Sequence, residues 1–120
     1  MAGCVISGTA ITNRIGNIFS NATVTVSNGS KETQYMYVYT VTFYHSIRPS
    51  SDNYHIIGNV RSAAPSANDA VSLCIFNKSR DGFKYACVTA KTYDSSGDDY
   101  MVALTTPTVE FTILEDVEIY

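Results

Sequence analysis

Residues 34–45 read Gln-Tyr-Met-Tyr-Val-Tyr-Thr-Val-Thr-Phe-Tyr-His, a run so rich in aromatic and β-branched side chains that extended chain is its natural state. Such side chains are stiff at χ1 and fit a pleated, half-buried surface, where they pack across neighbouring strands. Alternation puts Tyr35, Tyr37, Tyr39, Val41 and Phe43 on one bulky face and Met36, Val38, Thr40, Thr42 and Tyr44 on a mixed one. With apolar material on both sides the strand belongs in the middle of a sheet, odd face toward the core.

The rest of the chain follows from that strand. Val5 to Thr12 predicts a first strand, closed by the turn-prone residues 13–17, and Ile18 to Ser27 a second. Asn28-Gly29 is a type I′ hairpin signal, since both central positions of that turn need positive φ. A two-residue turn there sets Ser27 against Ser30, Val24 against Thr33 and Ala22 against Tyr35. It puts Val24 and Val26 on the face of Tyr39 and Val41. Pro49 to Asp52 is a turn, Tyr54 to Arg61 a strand, and Ser62 to Asp69, full of breakers, a crossing between sheets. Ala70 to Phe76 and Phe83 to Tyr93 form a second hairpin. A symmetric register there pairs even positions with odd, so Val71, Leu73 and Ile75 share a face with Ala86, Val88 and Ala90, opposite Cys74, Phe76, Tyr85 and Cys87. Further strands are expected at Tyr100 to Leu104 and Thr108 to Leu114, and the acidic tail from Glu115 can continue as an edge strand. About eight short strands with no βαβ rhythm predict an all-β chain, residues 1–120 forming one antiparallel β-sandwich domain of immunoglobulin-like or jelly-roll style. A small closed β-barrel is the alternative.

Composition removes several function classes. Charged residues are 16% of the chain, against about 25% in ordinary domains, with Ser, Thr and Asn in their place. The surface is therefore hydroxyl and amide rather than ionic, as in lectin-like and virion proteins. The net charge is −3 and no Lys/Arg cluster occurs, so the phosphate neutralisation that drives nucleic-acid binding has no source. No window has the length or hydropathy of a membrane span, and the first residues lack the pattern of a secretory signal. The expectation is a soluble protein of unspecified compartment. The three cysteines, Cys4, Cys74 and Cys87, are odd in number and have no C-x-x-C spacing, which favours free thiols over a disulfide or zinc site. Cys74 and Cys87 fall nearly opposite in the second hairpin, but directly paired strands seldom hold that bond well. The sequons at Asn21, Asn28 and Asn77 are by-products of an Asn/Ser/Thr-rich chain.

The candidate sites are modest. Residues 94–99, Asp-Ser-Ser-Gly-Asp-Asp, offer Asp94, Asp98 and Asp99 as oxygen ligands for Ca2+, although the same residues make an ordinary solvated turn. No other cofactor is implied. His45 and His55 flank one loop without metal-ligand spacing, and a Cys/His dyad would need a proximity that spacing does not supply. No nucleophile elbow, phosphate-cradling glycine loop or H-E-x-x-H motif is present. Among the nine tyrosines, Tyr54, Tyr85, Tyr93 and Tyr100 are the expected exposed ones. Tyr93 and Tyr100 bracket the acidic loop, and that end is the expected ligand site. These features describe a non-enzymatic binding module for a carbohydrate or protein partner. The alternative is a self-assembling structural protein, a homo-oligomer that buries the face of Cys74, Phe76, Tyr85 and Cys87; an enzyme is a distant third.

Overall fold

The computed structural model describes residues 2–28, 37–62, 71–91, 100–103 and 107–115. They form nine strands: β1 (Ala2–Ser7), β2 (Ala10–Ile15), β3 (Thr23–Asn28), β4 (Tyr37–Thr42), β5 (Tyr54–Ser62), β6 (Val71–Ser79), β7 (Gly82–Lys91), β8 (Tyr100–Ala103) and β9 (Thr108–Glu115). One antiparallel sheet has the order β2-β1-β9-β5, the other β3-β4-β7-β6, with β8 also paired to β7. The two sheets stay open and face each other as a β-sandwich; they do not join into a barrel. Among the described residues no helix is long and apolar enough to cross a membrane.

The aromatic strand β4 lies between β3 and β7, and its residues Tyr39 and Val41 are buried, as is Phe43 just beyond its end. Across the sandwich they meet the inward residues of the other sheet: Cys4 and Ile6 of β1, Tyr54 of β5, and Val109, Phe111 and Ile113 of β9. Phe111 is the bridge, its ring edge-on to Tyr85 at 4.8 Å and to Phe83 at 5.2 Å. Phe19, from the turn after β2, closes one end against Phe43 at 5.8 Å. Each large apolar side chain so enclosed contributes about 1.5–3 kcal/mol. Between β5 and β6 the chain passes from one sheet to the other, as the breaker-rich residues 62–69 predict.

Four expectations need correction. The span Val5 to Thr12 is not one strand: Gly8, with φ 59°, turns the chain between β1 and β2. The expected strand Ile18 to Ser27 begins only at Thr23, because Phe19 and Ala22 are spent on a hydrogen-bonded turn that closes the core. β3 and β4 do pair, but Val24 faces Val41 and Asn28 faces Tyr37. The connection is therefore residues 29–36, outside the described residues, and the register is eight positions from that of a two-residue turn. An even shift keeps the faces, so Val24 and Val26 still lie on the side of Val41 and Tyr39.

In the second hairpin the faces themselves change. Ser79 pairs with Gly82 across a tight turn, but Phe76 already pairs with Lys84, so Asn77 and Lys78 together oppose one residue of β7. This is a β-bulge, with Asn77 at φ 52°, and one extra residue reverses every side chain beyond it. Leu73 and Ile75 consequently share the inner face with Tyr85 and Cys87, while Cys74 and Phe76 point outward. Gly82 lets β7 lie close against β4, because a Cβ there would lie 1.9 Å from the Val41 carbonyl oxygen.

Candidate functional site

Two of the expected ligand-binding tyrosines are interior. Tyr85 is 0% exposed, stacked on Tyr39 at 5.1 Å, because the Asn77 bulge turns its face inward. Tyr54 is also fully buried, since it has the inward parity of Ile56 and Val60 on β5. Its hydroxyl reaches the carbonyl oxygens of Ser79 and Gly82 in the β6–β7 turn, the latter at 3.1 Å. Lys78 returns the contact, donating to the Tyr54 carbonyl and resting its ammonium 5.0 Å from the ring centre. Tyr54 thus clasps one sheet to the other. Tyr100 belongs to β8 and pairs with Lys91; Tyr93, Asp94, Asp98 and Asp99 lie outside the described residues.

The proposed assembly face of Cys74, Phe76, Tyr85 and Cys87 does not exist as one surface, for the same one-residue reason. Cys4 and Cys87 are buried and Cys74 is exposed. Burial pushes the Cys4 thiol up to about 12, with the Arg14 charge opposing it, and the Cys87 thiol up to about 11. Neither is a thiolate near neutral pH, and His45 and His55 lie exposed, apart from these two buried thiols. Among the described residues no group of three His, Cys, Asp or Glu side chains gathers where a metal could sit.

What the fold does present is the outer face of the four-stranded sheet. Registers align Ile15 of β2, Gly3 of β1, Thr112 of β9 and Ile57 of β5 in one row across all four strands. Ile15 is 59% exposed and Ile57 55%, and Leu114, one outward position further along β9, is 38% exposed. Gly3 has no side chain to offer, so the row dips in the middle into a hollow of about 390 Å3 lined by Gly3, Asn13, Ile15, Arg61, Glu110 and Thr112. Arg61 and Glu110, each about half exposed, stand at its rim with their charges 3.9 Å apart.

A second bulge builds this row. Val5 faces Thr12, but Gly3 faces Ile15, so Asn13 and Arg14 together oppose Cys4. Asn13 holds φ at 51°, a conformation open mainly to Gly, Asn and Asp. Continued without the bulge, β2 would turn Ile15 inward like Ile11; with it, Ile15 is aimed at solvent. Spacing conceals this, since the two strands read as one; the only local signal is an Asn within an apolar alternation.

The outer face of the other sheet is mixed. Thr23 pairs with Thr42 and Thr25 with Thr40, and a shallower dent of about 150 Å3 beside the Asn77 bulge is lined by Thr40, Thr42, Asn77, Ser79, Asp81 and Lys84. Beside these polar groups the same face carries the outward Cys74 and Phe76, the latter packed on Ala86. Together the sheets define an open two-sheet antiparallel β-sandwich. Compared with known proteins, the chain matches no family model, no curated protein and no solved structure.

Proposed function

We propose that this chain is a non-enzymatic interaction module that binds a protein partner through the outer face of its four-stranded sheet. The observation that carries this is the row Ile15–Gly3–Thr112–Ile57, which leaves two large aliphatic side chains more than half exposed, Ile15 of them lining a hollow. Scattered surface hydrophobics need no explanation, but aligned ones around a concavity with a polar rim are the composition of a recognition surface.

The test is site-specific photo-crosslinking in the native source, with a benzophenone side chain replacing Ile57 or, separately, Thr25 on the opposite sheet. Protein adducts are expected from position 57 in about tenfold excess over position 25, and Ile15→Asp should remove them. Equal yields from both faces would overturn the reading. A second reading, a carbohydrate bound on the other face, is favoured by the paired threonines and the Asn77 dent. It predicts that Asn77→Gly together with Lys84→Ala abolishes retention on a glycan array while position-57 crosslinking is unchanged.

A further inference from the structure

Resting on the second reading above, we infer that the dent beside Gly82 binds a single acidic sugar unit, a pyranose carrying one carboxylate. The row Thr23–Thr42–Gly82–Ser79 crosses the sheet, and Gly82, where a Cβ would strike the Val41 carbonyl oxygen, leaves its middle without a side chain. Around that gap stand Thr40 and Thr42 from β4, Asn77 and Ser79 from β6, Lys84 from β7 and Asp81 from the turn. Strict alternation after the outward Phe76 would direct residue 77 at the core; the bulge places Asn77 in the lining instead. Residues with hydroxyl, amide and carboxylate groups thus converge from three strands. A sugar hydroxyl both donates and accepts, and such a mixed set can answer it in either sense.

Charge selects among sugars. Of the eight Lys and Arg residues, Arg48, Lys78, Arg80 and Lys84 belong to the β6–β7 hairpin or to the loop bound to it, a gathering that the sequence hides because Arg48 comes from a distant loop. Three of them are engaged: Arg48 with Asp81, Arg80 with the Pro49 carbonyl at 2.8 Å and Lys78 with the Tyr54 carbonyl. Lys84 has no hydrogen bond or ion pair among the described residues. One uncompensated ammonium in the lining matches one negative charge. A phosphate dianion would meet the Asp81 carboxylate, 71% exposed, whereas an acidic sugar sets its carboxylate on Lys84 and a hydroxyl on Asp81. The hollow of about 150 Å3 equals about five water molecules, room for one ring lying partly in solvent. Pockets that enclose a small molecule start at about 300 Å3, so the affinity is millimolar.

The test is a nuclear magnetic resonance titration of the full 15N-labelled chain. The probes are the methyl glycosides of glucuronic, galacturonic and N-acetylneuraminic acids, each beside its uncharged carboxyl methyl ester, with acetate, sulfate and inorganic phosphate as bare anions. At least one acid should shift the amides of Ser79, Gly82 and Lys84 saturably, about tenfold more tightly than its own ester and than any bare anion. Lys84→Met should bring that acid down to the level of the ester, while Lys84→Arg keeps it within about threefold. The amide spectrum itself shows that each variant is folded. Acid and ester binding equally would overturn the acid preference and keep a carbohydrate on this face. A bare anion as tight as the acid would overturn the sugar, as would an acid unaffected by Lys84→Met. No shift at these amides with any sugar would overturn both the inference and the carbohydrate reading, and crosslinking from position 57 is independent of every one of these outcomes.

Discussion

The hydroxyl of Tyr54 ends on two carbonyl oxygens of a hairpin turn, while that of Tyr85, equally buried, finds no hydrogen-bond partner among the described residues. The two should respond oppositely to loss of one oxygen atom. Tyr54→Phe removes a donor from two turn carbonyls and should cost about 1–3 kcal/mol; Tyr85→Phe relieves an unsatisfied group and should be neutral or stabilise by about 1 kcal/mol. Urea unfolding of both variants checks this, and a destabilised Tyr85→Phe would mean that the hydroxyl has a hidden partner. Burial raises the pKa of Tyr85 in the same sense as that of Tyr39, since the charged form has no water, and the neighbouring Cys87 adds to both.

At the scale of elements, the two asparagines with positive φ, Asn13 and Asn77, both occupy bulges, and each decides which way a strand faces. Asn→Gly at either position should leave stability within about 0.5 kcal/mol, whereas Asn→Val should cost about 1–3 kcal/mol, because a β-branched residue strongly resists the αL region. Equal unfolding midpoints for the Val and Gly variants would show that the bulge is not held by its backbone. The same residues explain what was legible beforehand. Each strand's alternation, and the central place of β4, could be read locally. The β3–β4 register was wrong by eight residues without harm, because an even displacement keeps the faces. The β6–β7 register was wrong by one, which moved Tyr85 and Cys87 from the outside to the core. Leu73 and Ile75, like Cys74 and Phe76, are apolar, so the hydrophobic pattern does not choose between the two registers. Tyr54 was different: its shared parity with Ile56 and Val60 was there to be used. The row Ile15–Gly3–Thr112–Ile57 was not legible at all, since it joins four strands whose pairing is non-local.

For the whole molecule, the buried ionisable groups all prefer their neutral forms. Burial is the main cause for Cys4, raised from 9.0 to about 12, and Tyr54, raised from 10.0 to about 12, where Asp52 and Asp81 add to it; Cys87 rises from 9.0 to about 11, with Cys74 contributing. Because folded values exceed unfolded ones, their contribution is complete below about pH 9 and is lost as pH rises toward about 12. Each group in its window removes up to about 1.4 kcal/mol per pH unit. Urea midpoints should fall progressively over that interval with tyrosinate absorbance rising only as the chain unfolds; a flat profile would mean these groups reach water in the folded state. The order β2-β1-β9-β5 has a further consequence, in the time dimension of synthesis. Cys4 and Ile6 are made early but complete their half of the core only against Phe111 and Val109. Until those residues emerge from the ribosome, the β1–β2 ribbon has no sheet to join, while β3, β4, β6 and β7 already hold everything their own sheet needs. The nascent protein waits half-built for its last strand, and a pause or truncation before Thr108 leaves the early apolar strand without its partner.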